Sequence, residues 1–398
     1  MEDEITYMRI GTKLYKLQNQ PLANGGSKKV LTAWSYSTLA QDEGKQYAAN
    51  IPKYEGFCTV PDHVNYMRNI NGYYNLYNPI SHIPVQGDCR HVLSLVEHIF
   101  ENQMILGLDY LSLLYLRPTQ KLPILLLVSE ERNTGKTTFL NFLKAMFQDN
   151  ITFNTNEDFR SQFNSDWAGK LIIGVDEVLL DRREDAERLK NLSTARTYKI
   201  EAKGKDRQEV EFHGKFVLCS NNENFPIIID SNETRYWVRK IQHLDTDDTH
   251  FLEKLTDEIP AFLYYLQHRA ISSKEESRMW FNPSDIHTSA LDKIISNCRD
   301  RTEAAMVEVL KDIMAVMDVD TVSFTQDDMA HLLNCYSNSI ERSKISRILK
   351  GSWRLENSGN SLMYTSYGRD WNQPGHFEAL QRKGRYYTIN KEFLNKFR

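Results

Sequence analysis

The chain of 398 residues has little cysteine: Cys58, Cys89, Cys219, Cys298 and Cys335 stand singly and far apart. No C-x-x-C pair and no His/Cys cluster occurs, which excludes a disulfide framework and a zinc site and reads as a reducing compartment. Long apolar runs are also missing. The longest, Ile124 to Val128, is far short of the roughly 20 residues that span a bilayer. The polar, acidic start MEDEITYMRIG is unlike a secretory signal. No membrane partner is expected, and the location reads as cytoplasmic. Nor does one sign of charge dominate. The formal net charge is −4, so nucleic-acid binding has to come from local patches rather than the global balance. No internal repeat or low-complexity tract is visible.

What is present is enough chain for two or three domains. Residues 1–88 are rich in Tyr, Asn, Pro and Gly, with a short strand pattern at 13–17, and carry no legible chemistry. Helical spacing of Val92, Leu93, Val96, Ile99 and Phe100 predicts a helix over 90–103, and a second is expected over 106–116, within a segment 89–122. From 123 to 271 short apolar runs alternate with helical stretches, the pattern of an α/β domain, closed by a helix over 249–271. A polar stretch at 272–289 reads as a linker, and 290–398 as a small α+β unit.

The chemistry is concentrated in the α/β segment. SEERNTGKTT (129–138) ends like the phosphate loop G-x-x-x-x-G-K-[ST], but Glu130 stands where the first glycine belongs. The strand-like 123–129 before it and the helix-like 138–147 after it supply the required strand–loop–helix context. In that context Arg132, Asn133, Thr134, Gly135, Lys136, Thr137 and Thr138 would surround the phosphates of ATP. Lys136 would reach the β- and γ-phosphates, and the Thr137 hydroxyl would ligate Mg²⁺. KLIIGVDEV follows, a strand ending in Asp176 and Glu177. Asp176 suits the metal shell, directly or through water, and Glu177 the general base that polarises an attacking water. A third strand, KFVLCSNN, ends at Asn221, placed to contact the γ-phosphate or that water.

Taken in order, ERNTGKTT, KLIIGVDEV, KFVLCSNN and ETRYWVRKI resemble superfamily 3 helicases, particularly the ATPase domains of primase-helicases from phages, poxvirus-like viruses and mobile elements. The resemblance covers residues from about 90 to 270. It implies a P-loop NTPase core of the AAA+-like kind, with residues 89–122 as a helical oligomerisation collar. It also implies a homo-oligomeric ring, usually a hexamer, in which a neighbouring subunit supplies an arginine finger. Here Arg235 is the candidate and Arg239 its alternative. The expected activity is ATP-dependent unwinding of DNA in the cytosol of a bacterial host, alongside a separate primase or replication partner. The missing first glycine departs from the pattern, and residues 1–88 carry no recognisable catalytic primase domain.

Two places read as nucleic-acid contacts. Between the second and third strands, 197–212 alternates like a β-hairpin, with Lys203, Gly204, Lys205 and Arg207 at its tip. In the resembling helicases a hairpin at this position grips the strand. The C-terminal unit orders its helices and strands like a winged helix. Its residues 336–398 hold 12 Lys/Arg against 5 Asp/Glu. Arg342, Lys344 and Arg347 fall on one helix, and Arg382, Lys383 and Arg385 on the wing, where phosphate contacts are expected. An ATP-switched initiator or regulatory module without unwinding activity is the rival reading. A small-molecule kinase fits poorly, because it leaves both basic features without a role.

Overall fold

A computed structural model describes residues 6–394, apart from 22, 24–26, 161–166, 168, 201–207, 231–232, 245–247, 335–341 and 370–375. At its centre lies a five-stranded sheet. Across it run Tyr236–Lys240, Ile124–Val128, Lys215–Ser220, Ile172–Val175 and Ile151–Phe153, every neighbouring pair parallel. Every residue of the three middle strands is buried. Unbroken runs of Leu, Ile, Val and Phe dictate this, since a parallel sheet is covered on both faces. Leu125, Leu127, Val217, Cys219 and Trp237 pack with helix Lys136–Phe147 and the helical segment on one face. Ile124, Leu126, Phe216, Leu218 and Val238 fill the other. The mixed α/β architecture expected from the sequence is present.

The helical segment consists of Arg90–Phe100 and Met104–Leu116 around a 3₁₀ turn, Glu101–Gln103. Gly107 lets the two helices close up, because a Cβ there would lie 2.4 Å from the Phe100 ring. The single helix expected over 249–271 is two, Phe251–Asp257 and Ile259–His268. Pro260 lacks the N–H that a continuous helix would use. The break also frees Glu258, whose carboxylate accepts from the His91 and Val92 backbone at 2.9 and 3.0 Å and so caps Arg90–Phe100.

Residues 272–289, expected as a linker, are pinned to the core. Asp109 accepts from the Ser273 N–H at 2.7 Å and pairs with Arg269 at 2.7 Å, while Trp280 and Phe281 are buried beside the helical segment. The polar composition concealed these two aromatic anchors. Helix Ser289–Val316 then joins two cores. Leu291 and Ile294 lie against the central sheet, whereas Met306, Val309 and Leu310 belong to the C-terminal cluster. In that unit helices Gln326–Asn334 and Arg342–Arg347 precede a long hairpin, Leu362–Arg369 with Phe377–Gly384. Strand Tyr387–Asn390 returns to pair with Thr321–Phe324.

The N-terminal region folds as a four-stranded sheet ordered Ser27–Trp34, Lys13–Pro21, Tyr7–Ile10, Lys53–Tyr54, with a three-stranded sheet beside it. It docks on the centre. Asn150 donates from Nδ2 to the Asn78 carbonyl at 2.8 Å, and the His63 ring stacks on Tyr115 with centroids 5.7 Å apart. Among the described residues no helix is long and apolar enough to cross a membrane.

Candidate active site

Strand register brings three loops to one edge of the sheet. Val128 lies opposite Ser220, and Leu218 opposite Val175. Residues 129–135, 176–177 and 221–225 therefore all leave at the carboxyl ends, where open α/β sheets take their ligands. Gly135 has φ 81 at the start of helix Lys136–Phe147, a conformation open to glycine at little cost. Asn133 also has positive φ, 61. Such turns point successive backbone N–H groups into an anion-sized concavity at the positive end of a helix. Two neighbours hold the loop. His98 donates from Nε2 to the Thr134 carbonyl at 3.0 Å, and the Leu244 N–H donates to the Asn133 carbonyl at 3.1 Å.

Lys136 is only 6% exposed. Its Nζ donates to two neutral hydroxyls, Ser129 Oγ and Thr134 Oγ1, and among the described residues it pairs with no carboxylate. Burial lowers its pKa, against the opposing pull of nearby Cys219 and Asp176. Beside it, Thr137 Oγ1 donates to Asp176 Oδ2 at 2.9 Å. Glu177 sits at φ 58, a region costly for any residue with a Cβ. Asn156 stabilises this turn, donating to the Glu177 carbonyl at 3.3 Å and accepting from the Leu179 N–H at 3.0 Å. Asn221 Nδ2 reaches Glu177 Oε1 at 3.3 Å. Lys136, Thr137, Asp176, Glu177 and Asn221 thus converge from three adjacent strands.

The remaining loop residues divide by position. Arg132 and Asn133 are exposed, Thr134 is buried, and Thr138 is half-buried in the first helical turn. Glu130 is exposed and turned to the neighbouring loop, its Oε1 accepting from Asn224 Nδ2 at 2.6 Å. Among the described residues no three His, Cys, Asp or Glu side chains gather as a metal cage. Mg²⁺ needs no such cage: one or two carboxylates, water and substrate phosphates suffice, and Thr137 with Asp176 offers the right hard oxygen donors.

The two candidate arginines differ sharply. Arg235 precedes strand Tyr236–Lys240 and forms a two-pronged pair with Glu233 at 3.0 and 2.8 Å. It stands at the amino-terminal edge of the sheet, opposite the phosphate-type loop. Arg239 is buried. Its guanidinium donates to the Ile99 carbonyl at 3.2 Å and Gln103 Oε1 at 2.8 Å, and pairs with Glu101 at 3.0 Å. It fastens the last strand to the helical segment.

Of the expected DNA contacts, Lys203, Gly204, Lys205 and Arg207 lie outside the described residues; strands Thr197–Ile200 and Gln208–Glu211 pair antiparallel on either side. Lys344 is turned inward and pairs with Asp230 at 2.5 Å, so it leaves the phosphate-contact set. Arg342 pairs with Asp327 at 2.7 Å and Arg382 with buried Asp328 at 2.6 Å. Arg347, Lys383 and Arg385 are exposed. Four residues that shape the site escaped sequence reasoning: His98, Asn156, Glu223 and Asn224. They reach it from three separate segments, Glu223 and Asn224 from one loop, and none carries a local motif. Glu223 is buried between Lys240 and Lys293, at 2.9 and 2.5 Å.

The chain is similar in part to known proteins. A family of unknown function, DUF5906, matches residues 127–239, from the first central strand to the last. A DNA primase-polymerase of Nitratiruptor phage NrS-1 is 27% identical over 175 residues, 41% of this chain and 24% of that protein. The match therefore spans about a quarter of the relative's length. The apo structure of the NrS-1 C-terminal region (305–718) superposes with a TM-score of 0.57 at 16% identity, covering 96% of this chain and 95% of that one. An A-form apo structure of that region gives 0.55 with the same identity and coverage. The likeness to these structures is one of fold, a mixed α/β chain.

Proposed function

We propose that the chain is an ATP- and Mg²⁺-dependent DNA translocase of phage replication, with a P-loop core of the superfamily 3 helicase kind. The observation that carries this reading is the 2.9 Å hydrogen bond from Thr137 Oγ1 to Asp176 Oδ2. It joins the residue after the loop lysine to the acid at the end of a strand two positions away in the sheet, the pairing that a shared metal requires. Bound there, Mg²⁺ supplies charge neutralisation on the β- and γ-phosphates.

The protein's own groups then have distinct tasks. Lys136 exchanges its two hydroxyl partners for phosphate oxygens, a gain for a buried cation whose direct partners are neutral. Glu177 accepts a proton from water as the water oxygen bonds to the γ-phosphorus and the bond to the β-phosphate oxygen breaks, giving ADP and phosphate. Asn221 holds the Glu177 carboxylate and so fixes where the base points. Arg235 cannot serve the site of its own chain. The five-residue strand after it separates it from the loop end of the sheet by about 17 Å at ~3.3 Å per residue. Its service to a neighbouring subunit's site, and with it a homo-oligomeric ring, is part of the same proposal. The C-terminal helices and hairpin, with exposed Lys383 and Arg385, support contact with DNA. The phage primase-polymerase relative supports a replicative setting in a bacterial host's cytosol, with a primase or polymerase as partner.

Strand displacement on a forked duplex tests the proposal. Wild-type protein is expected to release the displaced strand with ATP and Mg²⁺, and Lys136→Ala to release none. Tight ATP binding without turnover or displacement in the wild type favours the ATP-switched module instead.

A further inference from the structure

The N-terminal region holds a second site. Between its two small sheets runs an open groove of about 1270 Å³, larger than the ~300–1,000 Å³ that usually encloses one small molecule. Its floor is apolar and aromatic: half-buried Leu17, Leu31 and Tyr66 line it, backed by buried Met8, Tyr54 and Tyr74, the last two rings edge to face at 5.2 Å. Its rim is cationic. Lys28 and Lys29 are both exposed on strand Ser27–Trp34. Across the groove Arg68 lies between the Tyr66 and Tyr74 rings, its guanidinium carbon 5.1 and 5.2 Å from their centroids. Among the described residues no carboxylate lines the groove. Among the described residues neither Lys28 nor Arg68 forms an ion pair, and Arg68 spends one donor on the Asn75 carbonyl at 2.8 Å.

We propose that this groove binds a single strand of DNA. An apolar, ring-lined floor with a cationic rim and no acid matches a polymer whose bases are flat and apolar-faced and whose backbone is anionic. A rigid duplex has its bases stacked inward and cannot offer them to such a floor. Met67 is 59% exposed and Leu76 43% exposed along the same wall, apolar surface that an unstacked base would cover. The Tyr66 hydroxyl is held by the Tyr77 carbonyl at 2.9 Å, which fixes its ring as a platform before any ligand arrives. The groove abuts the central unit through Asn78, which hydrogen-bonds Asn150 just beyond helix Lys136–Phe147. A strand bound there would lie beside the ATPase core yet away from its phosphate loop.

Binding of a labelled ten-nucleotide oligo(dT) to the full chain, without nucleotide, tests this. Lys28→Glu/Lys29→Glu is expected to weaken binding about tenfold and to flatten the log K against log[salt] slope by about 1.4, for two lost phosphate contacts on a single strand. 5-Iododeoxyuridine in the oligomer is expected to crosslink to the peptide holding Tyr66 and Tyr74. Equal affinity and slope in the charge-reversed protein would overturn the proposal, as would crosslinks confined to the C-terminal unit. Competition by polyglutamate as effective as by oligo(dT) would overturn it in favour of an acidic peptide. A tenfold preference for oligo(U) would reassign the groove to RNA and contradict the DNA assignment. The measurement is independent of the ATPase reading: Lys136→Ala is expected to bind oligo(dT) like wild type, so absent turnover and an absent groove give different results.

Discussion

Thr137 and Asp176, 39 positions apart in sequence, share a hydrogen bond of 2.9 Å at the carboxyl edge of the central sheet. The strand Lys215–Ser220 lies between the strands that precede them. The bond therefore spans one intervening strand, and Asn221 emerges from that strand beside Glu177.

Asp176→Asn is expected to lower ATP turnover by a hundredfold or more, since an amide cannot hold Mg²⁺ as a carboxylate does. Nucleotide affinity in EDTA should stay within a few-fold of wild type. Turnover within fivefold of wild type at saturating Mg²⁺ would remove Asp176 from the metal shell.

The structure answers the question that Glu130 poses. Its carboxylate is engaged with Asn224 at 2.6 Å rather than with the lysine end of the loop. Glu130→Gly is therefore expected to change ATP affinity by less than about threefold, because the positive end of the helix and Lys136 supply the phosphate contacts. A tenfold gain in affinity, measured by titration calorimetry, would mean that the acid repels the triphosphate.

The two arginines should separate cleanly. Arg235→Ala is expected to keep ATP binding and lose turnover by about 10³, the scale of a missing finger. Mixing it with Glu177→Gln chains should restore part of the activity, because some interfaces then contain both an intact base and an intact finger. Arg239→Ala should instead lower stability by about 1–3 kcal/mol, as its hydrogen bonds to the helical segment are lost. Mixtures with no recovery would place Arg235 outside the neighbouring site.

Acid sensitivity should arise far from the chemistry. Burial lowers the pKa of His63 and of His213 to about 4 each from 6.5, Lys215 adding to both effects. Between about pH 6.5 and 4 the unfolded chain holds protons at these rings that the folded chain does not, so stability falls as pH falls through that window. Each ring contributes on the order of a few kcal/mol across it. His63→Gln should flatten the Tm-versus-pH curve below pH 6.5; an unchanged slope would show that His63 is solvated.

The positions of the central cluster were legible in the sequence because its residues sit at strand ends. A run such as 170–175 fixes where Asp176 and Glu177 emerge, and Gly135 with Lys136 marks a helix start. What escaped depends on packing between distant segments. His98 belongs to a helix legible only by its apolar face, and its ring meets the loop at the Thr134 carbonyl, 36 positions away. Lys344 looked like a DNA contact because charge on a helix does not reveal which side faces Asp230. The N-terminal groove was invisible for the same reason: its rim and floor come from six separate strands and the loops between them.

The most direct measurement is steady-state ATP hydrolysis by wild type and Glu177→Gln, each with and without single-stranded DNA. The expected result is Mg²⁺-dependent turnover in the wild type that rises several-fold with DNA, and a fall of 10²–10⁴ in Glu177→Gln with ATP binding retained. Equal turnover in the two proteins, or wild-type hydrolysis indifferent to DNA, would contradict an ATP-driven motor on DNA.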